Sequence, residues 1–192
     1  MKVLICGCGA IGSNLVSELV PDLKGQHEIT ILDKDIVAER NIQAGTQFYT
    51  PDQIGLAKVE ALQFNIYKHY TREVSIINED IHKVLGRVPK QDLIIDCFDN
   101  SHSRELLQHH FLDFTALLHI GFSDNFTFAI EWAKNYKTPS DITSGMDICT
   151  MQGAAAFVAS VASLGALVAE EFIFNNKRLE ITGGKYIHSL IK

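Results

Sequence analysis

The sequence has no run of basic residues, no low-complexity tract and no internal repeat. Its 17 Lys and Arg are outnumbered by 23 Asp and Glu, for a formal net charge of -6. That balance argues against a surface built for nucleic acid or an acidic membrane. No signal-peptide pattern opens the chain: glycines interrupt its first apolar run, and no small-residue cleavage site follows. Cysteine is scarce and scattered, at Cys6, Cys8, Cys97 and Cys149. Two of these fall inside runs that read as buried strands, which fits a reducing cytoplasm better than a disulfide framework. A stretch over 153–169 lacks charge and approaches the length of a membrane span. It is made of Ala, Ser, Gly and Val, and Glu170-Glu171 closes it. Such small residues favour close helix packing and give a bilayer little apolar area. We therefore read a helix buried against the sheet or a second subunit, and expect no membrane span.

What is present is an ordinary globular composition, 46% apolar and 21% charged over 192 residues. It suits one domain, residues 1–192, with a sizeable core. The most organised stretch is the first thirty-five residues. An apolar run from Lys2 to Cys6 enters the turn Gly7-Cys8-Gly9-Ala10-Ile11-Gly12. A helical pattern with Ile11, Leu15, Leu19 and Val20 on one side opens near Ser13. A second apolar run, Ile29 to Leu32, ends in Asp33. Gly7 permits a tight turn, Gly9 lets a phosphate approach the backbone, and Gly12 lets helix and strand pack closely. The helix directs free N–H groups and a positive dipole end at the same spot. Asp33 stands where a ribose hydroxyl would donate to it. Glycines also serve ordinary turns; the strand before, the helix after and the distant acid favour a nucleotide site.

From Asp33 to Pro51 polar residues predominate, and the spacing predicts a long loop across the strand ends. A helix is expected to start near Thr50, with Pro51 in its first turn and Lys58 in its middle. Lys58 is either a solvated lysine or a charge aimed at a polyphosphate. Short strands are expected at 74–77, 92–99 and 115–121, with a turn or short helix over 80–88. The run over 92–99 is nearly all apolar in its middle, as in a parallel sheet covered on both faces. It ends in Asp99-Asn100, before a helix carrying Arg104 and Phe111. Asp99 is a candidate Mg²⁺ ligand or a helix cap, with Asn100 or Ser101 able to cap instead. The alternation over 126–133 predicts an antiparallel strand. A loop over 135–149 follows, then a helix from Thr150 to about Asn175 and an edge strand over 185–191. His109-His110 reads as a surface or packing pair. The fold expected is α/β: a Rossmann-like, doubly wound, mostly parallel sheet with an antiparallel extension.

Four blocks then carry a resemblance: GCGAIGSN from Gly7, LDKDIVAERNIQ from Leu32, GLAKVEAL from Gly55 and DCFDNSHSREL from Asp96. In this order they resemble the ThiF and MoeB relatives, the ubiquitin-activating-like adenylyltransferases, over most of the chain. The resemblance implies ATP and Mg²⁺ as cofactors. It implies AMP transfer to the C-terminal carboxylate of a small ubiquitin-like protein of the ThiS/MoaD type, with release of pyrophosphate. It assigns nucleotide binding to Gly7, Gly9, Ala10, Gly12, Asp33, Asp35 and Lys58. It assigns catalysis to Asp99, Lys58 and Asn41, with Asp99 on the metal, and it matches Arg104 to a family arginine. A homodimer in the cytoplasm is implied too. The carboxylate nucleophile is already ionised at neutral pH, so charge neutralisation and alignment carry the chemistry.

The chain also departs from the family. The arginine of the usual Asn-Leu-x-Arg-Gln loop is missing from Asn41-Ile42-Gln43-Ala44-Gly45-Thr46-Gln47. Arg40 is adjacent, but neighbouring positions on an extended loop point different ways. Losing that contact would cost on the order of 2–4 kcal/mol of transition-state stabilisation. The start is too short for the helix from which family dimers donate a second arginine. Paired CxxC motifs are absent, so no structural zinc is expected. Cys149 is either a thioester acceptor or a small buried residue. Two other functions stay open: a catalytically weak scaffold subunit of the same fold, and an NAD(P)-dependent oxidoreductase resting on the glycine turn and Asp33.

Overall fold

The computed structural model describes residues 1–23, 25–112, 115–123, 125–141 and 151–184. One seven-stranded sheet runs through it. Its strands are β1 (Lys2–Cys6), β2 (Glu28–Leu32), β3 (Ser75–Ile77), β4 (Leu93–Asp96), β5 (Ala116–Phe122), β6 (Phe128–Trp132) and β7 (Ile181–Gly183). They lie in the order β3-β2-β1-β4-β5-β6-β7. The first five are parallel, and β6 and β7 add antiparallel to the β5 edge. The direction of winding reverses between β1 and β4. In open sheets of this kind, ligands bind outside the strands' carboxyl ends at that reversal.

The strands alternate which face they feed. Val3, Ile5, Ile31 and Ile95 pack into one core with helices α1 (Ala10–Asp22), α3 (Lys58–Tyr70) and α6 (Ala154–Asn175). Leu4, Cys6, Leu32 and Ile94 pack into another with α4 (Ile81–Val84) and α5 (Ser101–Phe111). Both faces are thus covered, which is why β1 and β4 read as nearly continuous apolar runs. Each fully buried Leu or Ile contributes about 1.5–3 kcal/mol to holding these layers. The helix α6 is long and apolar enough to cross a membrane by length and composition. Half of its most apolar window is nonetheless buried inside the fold. Phe157, Val161 and Ala169 take that buried side.

Several boundaries differ from the sequence expectation, each for a local reason. The strand at 92–99 stops at Asp96, because the Phe98 N–H turns back to Asp96 Oδ1 at 3.0 Å. Asn100 then caps α5, its Oδ1 accepting from the Ser103 N–H at 2.9 Å. The helix expected from Thr50 is only a 3₁₀ turn over Pro51–Gln53, and α3 begins at Lys58. Between them, Gly55 takes a φ of +92° and donates its N–H to Val37 O, while the Val37 N–H donates to Leu56 O. These cross-chain bonds replace helical ones and put Lys58 at the start of the helix, not in its middle. The long loop after Asp33 holds a short helix, α2 (Glu39–Gln43). The strand β7 was missed, since Ile181-Thr182-Gly183 is too short to show alternation. The edge strand expected at 185–191, the Thr150 cap and Cys149 lie outside the described residues.

Candidate active site

A cavity of about 450 Å³ opens at the carboxyl ends of β1, β2 and β4, where the winding reverses. That size is in the range of small-molecule and cofactor sites. Its floor is the turn from β1 into α1. Gly7 has a φ of +88° and Gly9 has nothing within 4 Å of where a Cβ would stand, so the turn is tight and open above. Gly12 does not line the cavity. A Cβ there would lie 1.8 Å from Gly7 O, so this residue lets α1 sit directly on the turn. The first intrahelical bond is Ser13 N–H to Gly9 O at 3.0 Å. The N–H groups of Ala10, Ile11 and Gly12 therefore stand at the helix's positive end, pointing at the cavity. Tyr49 Oη donates to Cys8 O at 2.7 Å and ties the turn to the segment before Thr50.

Asp33, at the tip of β2, is buried. Its Oδ2 accepts from the Cys8 N–H at 2.7 Å and its Oδ1 from the Asp35 N–H at 2.8 Å. Burial raises its pKa above the ordinary carboxyl value, against the pull of Lys58 and the two N–H donors. The group thus shapes the glycine turn while its remaining lone pairs face the cavity it lines. Lys58 Nζ stands 3.1 Å from Asp35 Oδ2, with side-chain exposures of 9% and 53%. Asn41 is held in α2 by its Oδ1, which accepts from the Ala38 N–H at 2.7 Å, leaving its amide NH₂ to the cavity.

Arg40 also lines the cavity. Sequence reasoning set it aside on the premise of an extended loop; the segment is helical, and Arg40 and Asn41 border the same hollow. Across the cavity stands Asp99, exposed and bordering the same space, with no hydrogen bond or ion pair on its carboxylate among the described residues. A hard, uncommitted carboxylate beside a phosphate-sized hollow suits Mg²⁺, which takes one or two carboxylates and completes its shell with phosphate and water oxygens. The described residues hold no group of three or more His, Cys, Asp or Glu for an all-protein metal site. Arg104 reaches the cavity too, with Nε donating to Phe98 O at 2.6 Å and Nη1 to Tyr136 Oη at 2.8 Å. Burial works against its charge, but Asp96 and Tyr136 outweigh that and hold its pKa up.

The cavity wall contains residues that the motifs did not single out. Gln47 Oε1 is buried without a partner among the described residues, as is Thr46 Oγ1 beside it. Beneath Asp99, Asp96 pairs with His119. Each is a polar residue inside an otherwise apolar strand, but nothing local in the sequence joins the two, because they meet only through the pairing of β4 with β5. The nearby thiols of Cys6, Cys8 and Cys97 are buried, and burial pushes all three up, so they stay protonated. His109 and His110 are exposed on the last turn of α5.

No curated protein matches this sequence significantly. Solved structures share its fold. E. coli MccB with ATP aligns with a TM-score of 0.73 at 19% identity, over 95% of this chain and 63% of that one. MccB, described as a microcin C7 biosynthetic enzyme, in complex with N-formylated MccA gives 0.71 at 18% identity, over 95% and 64%. PaaA gives 0.69 at 17% identity, over 95% and 63%. The chain therefore spans less than two thirds of the length of these neighbours. The ThiF family model matches residues 1–189, nearly the whole sequence and every element that borders the cavity; the chain belongs to the ThiF family.

Proposed function

We propose that this cavity binds ATP with Mg²⁺ and that the chain adenylates a carboxylate, that of the C-terminus of a small ubiquitin-like protein of the ThiS/MoaD type. The observation that carries the reading is convergence. Gly9, Asp33, Asn41, Lys58 and Asp99 come from five separate segments and border one hollow. A dinucleotide oxidoreductase would need the glycine turn and Asp33; it has no use for an ammonium and an uncommitted aspartate on opposite walls. ATP-bound MccB, of the same fold, supports the choice of nucleotide. Its complex with N-formylated MccA supports a peptide or protein as the second substrate.

In this reading Asp33 accepts from the ribose, and the turn of Gly7, Gly9 and Ala10 meets phosphate oxygens with backbone N–H groups. Lys58, Asn41 and Arg40 gather the β- and γ-phosphates. Asp99 would hold Mg²⁺, which would supply charge neutralisation to the phosphates. The substrate carboxylate attacks the α-phosphorus. The bond from that phosphorus to the bridging oxygen breaks, and the electron pair leaves with pyrophosphate. No proton moves, so Lys58 and Arg40 serve by countering the growing charge on the leaving group. Arg40 takes the place of the missing loop arginine, which counts against the weak-scaffold alternative. The exposed side of α6, with Ala156, Ser160 and Leu167, is the face we assign to a homodimer. A cytoplasmic setting agrees with three reduced, buried thiols. Cys149 is either a small buried residue or a thioester acceptor; as an acceptor its thiolate would attack the acyl-adenylate carbonyl and the C–O bond to AMP would break, releasing AMP.

ATP–pyrophosphate exchange tests this reading, with the purified chain and a Gly-tailed ubiquitin-like protein. Exchange is expected with Mg²⁺, and Arg40→Ala should lower it about tenfold through loss of one charge-assisted phosphate contact. No exchange, together with hydride transfer or a change in NADH fluorescence on binding, would replace it with the oxidoreductase.

A further inference from the structure

The residue that carries the metal candidate stands on a buried side-chain network that the reaction itself does not use. Asp96 and His119 are directly paired across β4 and β5, and they are 0% and 1% exposed. His119 Nδ1 lies 2.7 Å from Asp96 Oδ2. A carboxylate accepts, so Nδ1 is the donor of this hydrogen bond. The ring's Nε2 is buried with no partner among the described residues. A buried polar atom without a partner is costly, and a leucine in this strand would avoid the cost. Histidine here is therefore explained by its grip on Asp96.

Asp96 uses its other oxygen, Oδ1, to accept from the Phe98 N–H at 3.0 Å. The Phe98 carbonyl is taken from the opposite side by Arg104 Nε at 2.6 Å. Arg104 is itself held by Tyr136 Oη, 2.8 Å from Nη1. The circuit closes where the Tyr136 ring stacks on His119, centroids 3.8 Å apart and planes 11° off parallel. Gly121 leaves room for the guanidinium, since a Cβ there would lie 2.8 Å from both Nη1 and Nη2. Both backbone groups of Phe98 are thus committed. On the far side Asn100 is fixed as the cap of α5. Asp99 is the residue between.

We propose that His119 and Tyr136 are positioning residues: through Asp96, Arg104 and the clamped Phe98 peptide they fix the turn that presents Asp99 to the metal of a bound Mg·ATP. The inference rests on the nucleotide reading above. It separates two contributions to binding. The glycine turn, Lys58 and Arg40 meet the phosphates without the network, so ATP free of metal should not sense it. The gain in affinity that Mg²⁺ confers should.

Isothermal titration calorimetry of the full chain with ATP, in Mg²⁺ and in EDTA, measures both. His119→Leu and Tyr136→Phe are expected to cut the Mg²⁺-dependent gain about tenfold, the low end for residues that orient a metal ligand. Affinity in EDTA should stay within about twofold. His119→Asn, whose amide NH₂ stands near the place of Nδ1, should recover most of the gain. A thermal melt of each variant is run alongside; Tyr136→Phe and His119→Asn carry the test if His119→Leu does not fold. An unchanged Mg²⁺ gain in the variants, or an equal loss in Mg²⁺ and EDTA, overturns the positioning role alone. Absence of any ATP heat in the unmodified protein overturns the nucleotide reading and this inference with it.

Discussion

The two walls of the cavity are built in opposite ways. The wall from Gly7 to Lys58 is shaped by backbone: N–H groups at the start of α1, the Asp33 carboxylate on two further N–H groups, and a glycine pressed against the turn. The wall from Asp96 to Tyr136 is shaped by side chains that lie far apart in sequence and meet only across strands. One wall is a local motif, rigid because its pieces adjoin. The other is a long-range assembly, rigid because its polar groups satisfy one another, His119 Nε2 apart. A local motif ties binding to folding, whereas a side-chain assembly lets the two be separated.

Mutations can break or sharpen that contrast. The largest effect should come from Asp99→Ala. It removes an exposed carboxylate that supports nothing else, so exchange should fall by about 10²–10³-fold with an unchanged urea midpoint. A parallel loss of stability would show that the side-chain wall, too, couples binding to folding. Next is Gly12→Val, which forces bulk against Gly7 O. Overpacking of a backbone contact should cost about 3 kcal/mol, read by urea denaturation, and ATP heat should vanish with it. A stable variant that still binds ATP would contradict the local picture. Lys58→Ala should weaken ATP about tenfold or more while leaving AMP nearly unchanged, because a lost charged phosphate contact is worth about 1.5–3 kcal/mol. Equal losses for both nucleotides would put Lys58 away from the outer phosphates.

The smallest expected effect lies at the rim, where Lys34 Nζ meets Asp80 Oδ2 at 2.8 Å. The Lys34 hydrogen bond, then the His82 N–H, hold the Asp80 carboxyl below its usual range. The folded pKa lies under the unfolded one. The stability this gives is present above the unfolded value and is lost as pH falls through the folded value. Lys34→Ala should return the Asp80 titration, followed by carboxyl NMR, toward the ordinary range and flatten that part of the acid unfolding curve. Both groups are near the surface, so neither wall should register the change.

The same contrast decides what the sequence revealed. The strand, turn, helix and acid of the first wall sit within thirty-five residues, and each leaves a local signature. Position along α3 was read less well. Apolar spacing from Ile54 onward resembles one helix, but the Gly55 and Leu56 backbone pairs with Val37, a partner some eighteen residues earlier. The second wall was half legible. Asp99 follows an apolar strand and stands next to a capping asparagine, so it could be marked from its neighbours. Its supports could not, because Asp96 and His119 become partners only through the pairing of β4 with β5. No periodicity specifies that pairing.

The unequal burial of Lys58 and Asp35 has its own consequence. An ammonium sunk that deeply would be expensive to leave without a counter-ion. The half-exposed Asp35 supplies one, at 3.1 Å. On the proposed reading, a phosphate entering the hollow would exchange one anion for another around Lys58, and Asp35, already half exposed, would turn to water at little cost. On that reading the site would carry a threshold: a ligand whose charge stops short of Lys58 would leave the pair closed, and only one long enough to replace the carboxylate would gain from arriving.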